Sequence, residues 1–309
     1  MPGFRHEVLL HGGERDFHRR VLAFLREGIA AREPTMAVVS ADHVRSLRAA
    51  LGAHADAVHF ADMDVVGLNP ARIIPVWEQL LDEHGRDGRR CRAVGEPVSV
   101  RRDPAALEEC EIHEALLNVA FADSGDWWLV CPYDEHALPA DVIERARANH
   151  PYVWCDGVHE ASPSHRPGEL TWPPKSELPE PPLDARAYEF TRETSLHAIR
   201  GLLENVATAV GWGGQRRDDL VLAVHELVTN TLRHGGGHGV LRAWRDGHDL
   251  FCEVRDAGHI DDPLVGRRAP DPTGVGGRGL WIANQLCDLV QIRQRCDGLT
   301  VRVRKKLDA

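Results

Sequence analysis

Residues 220–235 read LVLAVHELVTNTLRHG. Leu220, Ala223, Val224, Leu227, Val228, Thr231 and Leu232 recur at the spacing of one helix face, which predicts an amphipathic helix with a buried stripe. Glu226 and Asn230 stand four apart on the flank of that stripe. A carboxylate and a carboxamide one turn apart can meet one ligand together, the first as a base and the second as a neutral oxygen ligand for a hard cation. A plain polar helix edge has the same spelling, so the neighbouring sequence has to decide.

Downstream, the glycines of 235–239 lead into two alternating runs, Val240 to Arg245 and Leu250 to Asp256, joined at Asp246-Gly247 and predicted to be strands. The second ends in Asp256-Ala257-Gly258. A carboxylate at the end of a buried strand can accept the exocyclic amine of adenine, and Gly258 admits close approach. Thr273-Gly274-Val275-Gly276-Gly277-Arg278-Gly279-Leu280 then places glycines at the opening of a helix, Leu280 to Cys287, where backbone N–H groups and the positive helix end suit phosphates. As a string, Gly274-x-Gly276-x-x-Gly279 also fits a dinucleotide fingerprint, but that motif needs a strand directly before it and Pro270-Asp271-Pro272 stand there instead. Arg278 and Arg233 are candidates to neutralise phosphate charge, or are ordinary surface arginines. Leu289 to Arg295 and Leu299 to Arg304 read as a closing hairpin. Upstream, Ala187 to Val210 carries a long helical pattern ended by Gly211-Trp212-Gly213-Gly214.

The chain of 309 residues exceeds what one core usually needs, so two domains are expected. A formal charge of -10 argues against coating nucleic acid or an anionic membrane. Seven scattered cysteines without a C-x-x-C pair predict reduced thiols. No run approaches the ~20 apolar residues of a membrane span, and the N-terminus lacks the apolar core of a signal peptide. The expectation is a soluble, cytoplasmic protein.

Residues 1–158 alternate short apolar runs (Glu7 to Leu10, Met36 to Ser40, Val58 to Phe60, Arg92 to Gly95, Trp127 to Cys131) with helical patterns (Phe17 to Ala31, Asp42 to Leu51, Pro70 to Glu83, Ala105 to Ala122, Pro139 to Asn149). Asp42 and Asn69 are read as N-caps. This predicts a three-layer α/β domain with a mostly parallel sheet covered on both faces. The first strand opens into His11-Gly12-Gly13-Glu14-Arg15, yet no G-x-x-x-x-G-K-[ST] follows and this half holds no lysine, which excludes a P-loop. Cys110, Glu111, His113 and Glu114 crowd one helix, and Cys131-Pro132-Tyr133-Asp134 ends a strand. They are either a metal or small-molecule pocket drawing on His11, His113 and Tyr133, or a helix with a charged solvent face beside a tight turn, the reading the spacing favours. Residues 159–184 dissolve into proline and are read as an interdomain linker, leaving residues 185–309 as the second domain.

Three stretches, H-x-x-L-L-H (His6 to His11) with FLREGIAARE, then ECEIHEALLN, then LVCPYD followed by NHPYV, resemble the MEDS sensory domain of the DcmR type. The resemblance implies a RecA-like fold used for sensing and an unidentified small ligand. An E-x-x-x-N helix, a strand ending D-x-G, and a G-x-G-x-x-G-L loop resemble the GHKL ATP-binding family, an α+β Bergerat sandwich. The wording HELVTNTLRHG and GVGGRGLW is similar to its anti-sigma-factor serine/threonine kinases. That resemblance implies ATP and Mg²⁺, with Glu226 activating the attacking hydroxyl and Asn230 ligating the ion. It further implies Asp256 and Gly258 at adenine, and Gly274, Gly276, Gly277, Arg278 and Gly279 at the phosphates. Many members carry D-x-G-x-G where this chain reads Asp256-Ala257-Gly258-His259-Ile260, and we assign His259 to the place of the second glycine. The implied partners are a sigma factor and an anti-anti-sigma protein of STAS type, with homodimers common in the family. Two alternatives stay open: an ATP-binding switch without catalysis, and a histidine-kinase-like sensor using His197.

Overall fold

The apolar run of β1 (Phe4–His11) lies inside a sheet with a parallel neighbour on each edge. Its partner β5 (Trp127–Asp134) pairs from Phe4↔Trp127 to His11↔Asp134, and β6 (Tyr152–Cys155) joins at Glu7↔Tyr152. These features come from a computed structural model, which describes residues 3–84, 88–155, 157–166, 174, 176–194, 196–270 and 277–307. The chain divides into two units, Met1–Leu170 and Thr171–Ala309.

In the first unit β2 (Thr35–Val39), β3 (Val58–Asp62), β4 (Cys91–Gly95) and β7 (Val158–Ala161) complete a sheet of order β3-β2-β4-β5-β1-β6-β7. Every pairing is parallel except β6 with β7. The connections carry α1 (Glu14–Ala30), α2 (Ala41–Leu51), α3 (Met63–Val66), α4 (Ile73–His84), α5 (Pro104–Ala120) and α6 (Ala140–Asn149). Strand alternation sends Leu9, Val39, Val94 and Val130 to one face, where they pack with Phe17, Val21 and Phe24 of α1. The N-cap of α2 is Ser40, whose hydroxyl accepts from the His43 amide, and not Asp42, which sits within the first turn. Asn69 does cap, through the Ala71 amide, but it caps the 3-10 turn Pro70–Arg72 that precedes α4. The helix expected to show a charged solvent face buries Glu109, Cys110, His113 and Glu114 instead.

The second unit comprises β8 (Arg186–Thr191), α7 (Leu196–Ala209), α8 (Gly214–His234), β9 (His238–Asp246), β10 (Asp249–Asp256), α9 (Arg278–Leu286), β11 (Leu289–Arg295) and β12 (Gly298–Lys306). Its sheet runs β11-β12-β10-β9-β8 and is antiparallel throughout. The stripe of α8, with Leu203 of α7 and Ala283 of α9, meets Leu241, Cys252, Val254 and Val303 of the sheet in one core. The helical pattern read over Ala187 to Val210 is cut in two. Phe190 is buried and β8 pairs with β9 from Arg186↔Ala243 to Thr191↔His238, because the alternation around Phe190 suits a sheet edge and helix periodicity begins only at Leu196.

The proline-rich stretch touches this sheet: Arg293 Nε donates to Ser176 Oγ at 3.0 Å, Arg295 Nη2 lies 3.2 Å from Glu177 Oε1, and Arg302 Nη2 donates to the Pro179 carbonyl at 2.7 Å. No described helix is long and apolar enough to cross a membrane.

Candidate functional site

Asp256 ends β10, the middle strand of the second sheet, and its side chain is held from two directions. Thr231 Oγ1 of α8 donates to Oδ2, and the Gly258 amide donates to Oδ1 at 2.7 Å. Each carboxylate oxygen keeps a further acceptor site. The approach of α8 to this strand end depends on Gly235, where a Cβ would lie 2.4 Å from the carboxyl group of Asp256. The β11–β12 turn comes equally close: at Gly298, φ is +145° and a Cβ would lie 1.9 Å from the Asp256 carbonyl oxygen. Three glycines thus let a helix end, a turn and a loop crowd one aspartate.

A cavity of about 370 Å³ opens beside Asp256. Leu227, Asn230, Thr231 and His234 line it from α8, at the i, i+3, i+4, i+7 spacing of a single helix face. Val254, Leu299 and Val301 supply an apolar floor from the sheet, and Gly277 and Leu280 close the side at α9. The volume and the mixture of an apolar floor with few polar groups suit a small-molecule site.

Asn230 packs against α9 through Gly279: a Cβ on Gly279 would lie 2.7 Å from Asn230 Nδ2 and 3.1 Å from Oδ1. Gly277 occupies the N-cap of α9 with φ 74°, a left-handed conformation that glycine adopts without strain. The first amides of α9 therefore begin beside Asn230 at the cavity wall, and Arg278 is exposed as the first helical residue. Glu226 is half-buried one turn before Asn230 and is not among the lining residues, which start at Leu227. Gly274 and Gly276 lie outside the described residues.

Between β10 and α9 the chain passes over the cavity through His259, Ile260 and Asp262. Counted from Asp256, the second glycine of D-x-G-x-G corresponds to Ile260 and not to His259. Ile260 is half-buried against the core and its amide donates to Gln294 Oε1 at 2.9 Å, whereas His259 is exposed beside Asp261. The segment is anchored to α9 where Asn284 Nδ2 donates to the Gly266 carbonyl at 2.8 Å. Thr231 was legible only as a member of the apolar stripe. Its hydroxyl role depends on the register between α8 and β10, which spacing along the chain does not encode.

In the first unit the three residues proposed for a pocket do not converge. His11 faces α1, with its ring 5.4 Å from that of Phe17, whereas Tyr133 lies across the sheet near His150, ring centroids 5.8 Å apart. His113 is buried on α5. The separation follows from pairing Leu10, and not His11, with Tyr133. At the carboxyl end of the strands His43 is sandwiched between carboxylates, Nδ1 being 2.7 Å from Glu96 and Nε2 3.1 Å from Glu14. Burial pulls His43 down, but the hydrogen bonds and charges of Glu96 and Glu14 outweigh it and leave its pKa raised.

The second unit thus sets three helices against an antiparallel sheet, with Asn230 and Asp256 lining one cavity. Residues 190–305 match the family model described as "Histidine kinase-like ATPase domain", and residues 5–151 match "MEDS: MEthanogen/methylotroph, DcmR Sensory domain". The chain thus joins a MEDS-like unit to a histidine kinase-like ATPase unit. No curated protein matches it. Among solved structures, one similar chain is "The crystal structure of the RsbU and RsbW domains of Rv1364c from Mycobacterium tuberculosis", with 18% identity and a TM-score of 0.30, covering 39% of this chain and 32% of that one.

Proposed function

We propose that residues 185–309 bind ATP with Mg²⁺ and phosphorylate a serine or threonine of an anti-anti-sigma partner, and that the same unit sequesters a sigma factor. Residues 1–158 act as its sensory input, with a RecA-like sheet and a small-molecule ligand, and residues 159–184 connect the two. The observation that carries the reading is the convergence on one cavity of Asn230, seated against Gly279, and Asp256, seated on Thr231 and Gly258. The donor set fits the ligand: a free acceptor site on Asp256 suits the adenine amine, and the N-terminal amides of α9 suit phosphate oxygens.

Asn230 Oδ1 is the group that would hold Mg²⁺, which when bound neutralises charge on the triphosphate. Glu226 takes the proton of the attacking hydroxyl or orients it, and Arg278 neutralises phosphate charge from the first turn of α9. The product carries about two added negative charges, which weaken its docking. The sigma-factor and anti-anti-sigma partners rest on the likeness of HELVTNTLRHG and GVGGRGLW to anti-sigma-factor kinases.

Incubating the protein with γ-labelled ATP, Mg²⁺ and a panel of STAS-type proteins tests this. An acid-stable label on one partner is expected. Bound nucleotide with no labelled partner would establish the non-catalytic switch, and an acid-labile label on His197 a histidine kinase.

A further inference from the structure

Four side chains of the first unit, from four different elements, bring metal-ligating atoms to one buried point. His6 comes from β1, Cys131 from β5, Glu114 from α5, and His150 directly follows α6; one ligand atom from each lies within 4.8 Å of all the others. His6 Nε2 is 3.0 Å from Glu114 Oε2, His150 Nε2 is 3.1 Å from the same oxygen, and Cys131 Sγ is 3.5 Å from His6 Nε2. Their relative exposures are 0%, 0%, 1% and 0% in the order His6, Glu114, Cys131, His150.

The hydrogen bonds around the cluster fix which atoms point inward. His150 Nδ1 sits 2.7 Å from the Ala146 carbonyl, an acceptor, so this nitrogen carries the proton and Nε2 presents a lone pair. His6 Nδ1 sits 3.1 Å from Asn118 Oδ1. The Asn118 amide is oriented by its own donation to the Asn149 carbonyl at 2.7 Å, so His6 also donates through Nδ1 and presents Nε2 inward. Two imidazole lone pairs therefore face one carboxylate oxygen. Three acceptors converge, and the Cys131 thiol has a single proton to offer them.

Glu114 Oε1 and His150 Nε2 also make no well-directed hydrogen bond, the His150 contact with Glu114 lying off the hydrogen-bond direction. A metal ion at the centre would accept all four lone pairs at once.

We propose that His6, Glu114, Cys131 and His150 together bind one transition-metal ion of the Zn²⁺ class. Two imidazole nitrogens, a thiolate and a carboxylate form the mixed N/S/O set that Zn²⁺ and Co²⁺ take, and that Mg²⁺ and Ca²⁺ do not. Bond lengths of about 2.0–2.3 Å set tetrahedral ligand spacings of roughly 3.3–3.8 Å, so only small side-chain shifts separate the present contacts from coordination. On binding, a metal–sulfur bond forms and the Cys131 proton leaves to solvent. Thiolate and carboxylate then balance the divalent charge. With four protein ligands and no exposed face the site is of the closed, structural type, joining β1, β5, α5 and the C-terminal end of α6. The Nδ1 bonds of His6 and His150 are the outer contacts that hold ligating imidazoles in place. The inference concerns a different unit from the ATP site and does not depend on it.

Because the ligands are buried, the full chain is refolded from denaturant with and without Co²⁺, and metal per chain is measured with the absorption spectrum. One Co²⁺ per chain is expected, with a thiolate-to-cobalt charge-transfer band that disappears in Cys131→Ser and persists in Cys110→Ser and Cys296→Ser. His150→Gln should lower Co²⁺ affinity at least tenfold. The proposal is overturned if the refolded native protein takes up no stoichiometric ion, or if the band survives Cys131→Ser. Should Cys131→Ser fail to refold, as judged by circular dichroism, unchanged affinity in His150→Gln overturns it equally.

Discussion

Gly279 exists as glycine because the carboxamide of Asn230 occupies the place a side chain would take, 2.7 Å from Nδ2 to the position of a Cβ. Asn230 belongs to α8 and Gly279 to the first turn of α9, so this contact sets how close the helix N-terminus comes to the cavity. Gly279→Ala must push Asn230 aside or move α9. Overpacking of this kind costs about 1–3 kcal/mol, and because the displaced groups are those proposed to hold Mg-ATP, its affinity is expected to fall roughly ten- to hundredfold. Titration calorimetry checks this. Unchanged affinity would separate the contact from nucleotide binding.

Thr231→Val keeps the volume and removes the hydroxyl that donates to Asp256 Oδ2. Thr231 is 1% exposed, so water does not replace the lost donor freely. A stability loss of about 1.5–3 kcal/mol is expected from the hydrogen bond to a carboxylate. Asp256 then keeps only the Gly258 amide as an anchor, and any preference for adenine over guanine nucleotides should narrow. Denaturant unfolding and competition binding measure the two effects separately.

How much of this was legible before any coordinates depended on whether the signal was local. The stripe of α8, the strand that ends at Asp256 and the glycines before α9 are local patterns, and the structure has elements in those places. The β8 strand was hidden because Phe190 reads as the first apolar residue of the helical pattern that runs on through Leu196, whereas it is a buried residue of a sheet edge. Thr231 and Gly235 acquire their roles only from the register of α8 on β10. In the first unit, alternation along β1 separates His11 from Tyr133, while His6 meets Glu114 from a distant helix and His150 meets both. Both histidines stand in motifs that carry the MEDS resemblance, but neither has a partner at ligand spacing in the chain, so nothing local marked them as metal ligands.

His43 supplies a pH test of the first unit. Its ring stacks on Phe17 at 3.9 Å and faces Glu14 and His18 of α1 and Glu96 after β4. The folded-state pKa is raised above the ordinary value of 6.5, because Glu96 and Glu14 favour the imidazolium more than burial disfavours it. A raised pKa means that the stabilisation is fully present below the unfolded value and is lost as pH rises through the folded one. The Tm difference between the native protein and His43→Gln should therefore be largest near about pH 6 and shrink toward about pH 8. A difference that grows with pH would mean that His43 is neutral when folded.

In the function proposed above, Glu226 separates phosphate transfer from nucleotide binding. It lies one turn before Asn230 on α8, half-buried, with the cavity lining starting at the next residue, Leu227. In the proposed reaction Glu226 therefore acts on the partner hydroxyl and not on the bound nucleotide. Glu226→Gln keeps size and hydrogen bonding and removes the basic carboxylate. ATP affinity should stay within about twofold, while partner phosphorylation drops by about 10²–10⁴, the range for loss of a general base. Asn230→Ala, by contrast, should lose nucleotide binding and transfer together. A Glu226→Gln protein that phosphorylates its partner at the native rate would remove Glu226 from the chemistry. Binding and transfer lost in equal measure would instead place it with Asn230 as a nucleotide ligand.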